Sequence, residues 1–124
     1  MWVLSPTDQW LRDQKRYQKK DPWELAAILA NLDRLLEILK EAPNSRTVQA
    51  GFIHSEGGGI LAVDQKGGGP NLMETRGYLF CEDIEKTVHL ITIGDKRTQS
   101  RDVQYSKEFL RILKLKDTNE QRES

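Results

Sequence analysis

Apolar and polar positions recur with different periods along this chain, and each change of period predicts a new element. The short apolar run "MWVLS" stops at Pro6 and reads as a first strand that pairs with a distant partner. Next, "QWLRDQKRYQKK" sets a thin stripe of Trp10, Leu11 and Tyr17 among Arg12, Lys15, Arg16, Lys19 and Lys20, the pattern of a weakly amphipathic, basic helix. In "DPWE", Asp21 is placed to accept from free backbone N–H groups, Pro22 suits the first helical position, and Glu24 completes a capping box. Leu25, Ile28, Leu29, Leu32, Leu35, Leu36 and Leu39 then recur on one face, predicting a helix over residues 22–41 whose stripe can cover one face of a sheet.

Beyond Pro43 the period changes to two. Val48, Ala50 and Phe52 alternate with polar or small residues, "SEGGG" supplies a flexible turn, and "ILAVDQ" follows, together predicting a hairpin. "KGGGPN" breaks the pattern, and "LMETRGYLFCED", the turn "IEK" and "TVHLITIG" predict a second hairpin rich in β-branched and aromatic residues. A last amphipathic helix, "RDVQYSKEFLRILKLK", places Val103, Leu110 and Leu113 on one side with Ser106 between them. The tail "DTNEQRES" is too polar to pack. This order gives an α+β, two-layer domain over residues 1–116: an N-terminal strand, a helical hairpin, an antiparallel sheet of four further strands and a C-terminal helix, with a polar tail at 117–124.

Composition narrows the setting. The 124 residues suffice for one modest core, and 37% apolar with 31% charged residues is polar for a globular chain but too rich in Leu, Ile and Val for disorder. Nineteen basic residues balance 19 acidic ones, so attraction to a polyanion or a membrane has to come from local patches. One cysteine, Cys81, rules out an internal disulfide and fits a reducing cytoplasm, and no apolar run nears the roughly 20 residues of a membrane helix. A cytoplasmic, membrane-free protein is expected.

Candidate chemistry is sparse. His54, His89 and Cys81 are too scattered for a structural metal, and "HSE" at 54–56 lacks the P-C-x-x-C partner of zinc deaminases. Lys66 before Gly67, Gly68 and Gly69 does not open a helix as a Walker loop does, although a loop carrying that lysine can close over a ligand. Cys81 lies in an apolar strand, which favours packing over reactivity. By alternation Arg76, Tyr78 and Phe80 share one strand face, and an Arg with a Tyr on an open face makes a platform for phosphate and base contacts. His89 alternates with Ile91 and Ile93 as the outer member of a core row, whereas His54 ends its strand beside a glycine turn and is placed to exchange a proton. Behind the last strand, "GDKRTQSRD" gathers Asp95, Lys96, Arg97, Gln99, Arg101 and Asp102; Asp102 reads as the cap of the closing helix.

Taken together, the basic first helix leading to "KKDPWEL", the strand "TRGYLF" and the closing "VHLITIGDKRTQSRD" resemble the RelE/ParE/HigB superfamily of type II toxin–antitoxin toxins over residues 2–115. The resemblance implies a RelE-like fold, a partner antitoxin, and either of two activities. One is ribosome-dependent mRNA cleavage without metal or cofactor, by attack of a ribose 2′-OH on the adjacent phosphate; the other is inhibition of DNA gyrase by binding. An inactive protein-interaction module on the same scaffold is a further alternative, and a small-molecule ligand is not expected. For the nuclease, the resemblance implies Arg76 at the scissile phosphate, Lys96 and Arg97 as the basic residues after the last strand, and Lys66 as a basic residue of the preceding hairpin; on this chain's own residues, Lys96 is expected to join Arg76 at the phosphate, His54 or Asp95 to exchange protons, and Lys66, Arg97, Gln99 and Arg101 to hold RNA. The chain departs from the family in its neutral charge and in lacking a tyrosine just beyond the last strand, since Tyr105 falls within the closing helix.

Overall fold

The computed structural model describes residues 1–67 and 74–123, with side chains described as far as Asp117. Among the described residues five strands form one mixed sheet in the order β1-β5-β4-β3-β2: β1 (Val3–Pro6), β2 (Ile53–Gly57), β3 (Ile60–Asp64), β4 (Arg76–Glu82) and β5 (Thr87–Gly94). Only β1 runs parallel to its neighbour, β5; the other pairs are antiparallel. Helices α1 (Asp8–Lys20) and α2 (Pro22–Glu41) follow β1 as a hairpin, and α3 (Gln99–Glu123) closes the chain, continuing through the segment expected as a tail. The α+β order expected from the sequence holds.

The two faces of the sheet are buried by different helices. Against the α1–α2 hairpin lie Val63, Leu79, Cys81, Val88, Leu90 and Ile93, packed with Trp10, Tyr17, Leu25, Ile28, Leu32, Leu35 and Leu39. On the other face Ile60, Ala62, Tyr78 and Ile91 meet Leu110, with Phe80, Val103, Phe109 and Leu113 around them. The β4 alternation is therefore as read: Tyr78 and Phe80 on one side, Leu79 and Cys81 on the other. The platform reading changes, however, because Tyr78 is fully buried under α3 rather than open.

Several local expectations give way to stronger interactions. Asp21 makes no side-chain cap to α2; its N–H instead closes α1 on the Tyr17 carbonyl, so this one residue serves both helix ends. Glu24 is drawn from the capping box into the core, where it accepts a 2.7 Å hydrogen bond from Thr75 Oγ1. Leu11 is about half exposed, and Asp13 takes the buried position on α1. The alternation of Val48, Ala50 and Phe52 does not make a strand: Asn44 caps a 3-10 turn at Ser45–Thr47, Asp83 holds Ser45 by its N–H and hydroxyl, and β2 starts at Ile53. Leu72 and Met73, expected at the start of the fourth strand, lie outside the described residues.

Strand β5 bulges. Its register with β4 slips between Tyr78↔Thr92 and Leu79↔Leu90, leaving Ile91 as the extra residue. Ile91 consequently faces α3 while Leu90 and Ile93 both face the hairpin, so the predicted row of His89, Ile91 and Ile93 is broken. His89 is satisfied where it stands, 2.9 Å from Glu82 and flanked by Phe80 and Phe109.

Gly77 marks the closest approach of hairpin and sheet. A Cβ there would lie 2.8 Å from Trp10 Cη2 and 3.2 Å from Ile28 Cγ2. Gly77→Ala is expected to destabilise the fold by about 1–3 kcal/mol through overpacking. Urea denaturation checks this, and a midpoint equal to that of the parent protein would refute the close approach.

Candidate functional site

Two charged pairs sit side by side at one end of the α3-facing side of the sheet. Asp64 and Arg76 are register partners on β3 and β4, and two longer-range contacts tie them to β2. His54 Nε2 lies 2.6 Å from Asp64 Oδ2, and an Arg76 guanidinium nitrogen donates to Glu56 Oε1 at 3.1 Å. Glu56 reaches Arg76 because the β2–β3 register slips between Ser55 and Gly57, making Glu56 the extra residue of a second bulge. The second Asp64 oxygen accepts from the Lys66 N–H at 2.8 Å, which fixes the carboxylate facing His54. Solvent reaches all four groups in part: side-chain exposure is 37% for His54, 16% for Asp64, 24% for Arg76 and 17% for Glu56.

The strand-end cluster splits into two. Arg76 pairs with Gly94, so the turn after β5 leaves from beside it, and Lys96 stands largely exposed, 3.9 Å from Glu74. Asp95 turns the other way. Its carboxylate caps the 3-10 turn Lys96–Thr98, accepting from the Arg97 N–H and from the Arg97 guanidinium, and Tyr17 and Lys20 of α1 feel its charge. Burial disfavours its ionised form, but the hydrogen bonds and charge of Arg97 prevail and hold the carboxyl below its usual range. Asp95, rather than Asp102, thus provides the cap at the head of the closing helix.

Asp102 lies buried a turn further on, accepting from Thr98 Oγ1 at 2.6 Å and pressed against Gly94, where any Cβ would collide with its carboxylate. Gln99 opens α3, and Arg101 is exposed on its first turn. The Lys66 ammonium lies beside Gly51, 3.3 Å from where a Cβ would stand there. The structure therefore gathers His54 and Arg76, with Lys96 at the neighbouring strand end, and leaves Asp95, Arg97 and Lys66 apart.

Glu56 and Asp64 are the partners that sequence reasoning left without a role. A signal existed for Asp64: a hairpin turning at Gly57–Gly59 sets His54 opposite Ala62 and brings residue 64 within a diagonal of His54. Among the described residues no group of three or more His, Cys, Asp or Glu is arranged to hold a metal ion, and no helix is long and apolar enough to cross a membrane. A groove of about 800 Å³ lies elsewhere, lined in part by Val48, Ile53, Leu61, Cys81 and Ile84.

Neither a protein-family model nor a curated protein matches this chain. Among solved structures the fold is similar to a YoeB/ParE toxin from Agrobacterium tumefaciens, with a TM-score of 0.48 and 16% sequence identity over 77% of this chain and 98% of that one. The chemistry of the site rests on its own residues.

Asp102 offers a direct electrostatic test. Burial, its first cause, pushes the carboxyl above the usual range against the opposing Thr98 hydrogen bond and Arg101 charge. A raised carboxyl means that the folded state holds the proton more tightly, so stability is lost as pH rises from the unfolded value, about 4, through the folded one. Asp102→Asn keeps an acceptor for Thr98 and removes that penalty. Thermal melts are expected to show the variant at least as stable as the parent at pH 7, with the gap closing below about pH 4; a deficit that grows with pH would refute the assignment.

Proposed function

We propose that this protein is the toxin of a type II toxin–antitoxin pair, held in check by a cognate antitoxin protein, and that it cuts mRNA on the ribosome as an endoribonuclease. The observation that carries the chemistry is the adjacency of the Arg76–Glu56 and His54–Asp64 pairs on one partly open sheet face. The order of elements, with its resemblance to RelE, ParE and HigB toxins, supports the biological setting.

RNA cleavage of this type forms a bond from the 2′-oxygen to phosphorus and breaks the bond from phosphorus to the 5′-oxygen. The products are a 2′,3′-cyclic phosphate and a free 5′-hydroxyl. One group must take the 2′-hydroxyl proton, another must return a proton to the leaving 5′-oxygen, and a cation must stabilise the crowded phosphorane between them. Glu56 is the acceptor in this scheme, His54 the donor oriented by Asp64, and Arg76 the phosphate-stabilising cation. Lys96 extends positive charge along the same end of the sheet. Arg97, Gln99, Arg101 and Lys66 contact flanking RNA. Asp95 is assigned to positioning the Lys96–Thr98 turn, because its carboxylate is already committed to Arg97.

Arg76→Ala is expected to lower cleavage by about 100-fold or more, as loss of a transition-state charge partner does. The measurement is mRNA 5′-end mapping after induction, and with purified protein in a reconstituted translation reaction. Growth arrest with intact mRNA and induced DNA damage would instead support gyrase inhibition and sink the nuclease reading.

A further inference from the structure

Tyr78 carries a hydroxyl that the fold does not use. The residue is fully buried between the sheet and α3, and its phenolic oxygen has no hydrogen-bond partner. Such a group costs about 1–3 kcal/mol relative to one that is paired, and a phenylalanine would fill the same space without that cost. Ser106 Oγ, on the α3 side of the seam, is likewise buried and unpartnered.

Tyr78 differs from Ser106 in its place along β4. It follows Arg76 by two residues on the same strand face, the face on which Arg76 meets Glu56. Burial raises the phenol above its ordinary range, and the charges of Asp102 and then Glu56 raise it further while Arg76 opposes them, so both members of the Arg76–Glu56 pair act on it electrostatically. Asp102 already accepts from Thr98. Glu56, by contrast, has Arg76 as its donor, and the proposed reaction requires that same guanidinium to turn toward a phosphate. With only 17% of the Glu56 side chain exposed, water is a poor replacement donor at that moment.

We propose that Tyr78 is a positioning residue of the Arg76–Glu56 pair, its hydroxyl donating to the Glu56 carboxylate when Arg76 engages a phosphate. The assignment rests on the nuclease reading given above. A donor to the carboxylate favours its charged form, so removing it moves the ionisation of Glu56 to higher pH in the substrate complex.

The test is Tyr78→Phe in the full chain, assayed for cleavage of a defined mRNA on ribosomes across pH, with Ser106→Ala, Glu56→Gln and Arg76→Ala alongside. Tyr78→Phe is expected to melt no lower than the parent, to lose about tenfold in kcat with KM unchanged, and to shift the acid limb of the kcat profile upward. Ser106→Ala is expected to leave that limb in place. Because the limb is read on folded protein, it decides the matter even if the melting temperature falls. A parent enzyme that cleaves, with Arg76→Ala and Glu56→Gln inactive but the Tyr78→Phe limb unmoved, overturns the role of the tyrosine alone. Absence of cleavage by the parent overturns the nuclease reading and this assignment with it.

Discussion

The carboxylate of Asp13 holds the part of the sheet on which the rest depends. Strand β5 is paired on one side by β4 throughout, but β1 accompanies it only as far as Leu90. Beyond that point the strand has bulged at Ile91 and would present bare backbone at the edge. Asp13, one turn into α1, accepts from the Ile93 N–H at 3.0 Å and from Thr92 Oγ1 at 2.7 Å. Thr7 adds a hydroxyl to the Ile91 carbonyl at 2.7 Å while capping α1 through the Trp10 N–H. A buried carboxylate is tolerable here because it is surrounded by donors, with Gln9 and Arg16 completing its set.

That clamp sets the phase of everything downstream. With Ile91 as the extra residue, Ile93 packs into the hairpin core and Gly94 is left flush beneath Asp102 of α3. Only a residue without a Cβ can occupy that position. The turn at Asp95–Thr98 then leaves the sheet beside Arg76, and α3 returns across the face that carries His54, Glu56 and Asp64. The bulge at Glu56 and the one at Ile91 thus act at opposite sides of Arg76: one aims a carboxylate at it, the other fixes the strand end next to it.

Much of the scaffold was legible because it rests on periodicity. The seven apolar positions of α2 and the alternation of Tyr78 and Phe80 against Leu79 and Cys81 depend only on which faces are buried, and both appear in the two cores. Features set by a single contact were not legible. Nothing local in "NSRTVQAGF" announces that Asp83, 38 residues later, will pin Ser45, and an alternating pattern alone mimics a strand. The bulge at Ile91 is invisible in the run of four apolar or β-branched residues Leu90–Ile93, since either phase buries equally well. In the site, His54 and Arg76 stood out by type and strand position, while Glu56 and Asp64 required the register of two strand pairs.

The site also gives the neutral composition a physical meaning. Three cations at the polar end of the sheet are met by acids: Arg76 by Glu56, Lys96 by Glu74 and Arg97 by Asp95. Paired in this way, the groups present little net field to a distant polyanion, so long-range steering toward one is weak and salt has little to screen. A phosphate arriving at the sheet must instead compete with carboxylates already in place. For the exposed Lys96 contact the competition is nearly free, because solvent-facing pairs are worth at most about 1 kcal/mol. For Arg76 it is not, since the displaced Glu56 is left in a poorly hydrated position. In the proposed cleavage, a proton from the attacking hydroxyl would neutralise that carboxylate as the phosphorane gained charge beside the freed guanidinium, so the cost of breaking the pair would fall as the reaction proceeded. On that proposal, the pair would bind substrate less well than the transition state, which is the condition for catalysis rather than mere affinity.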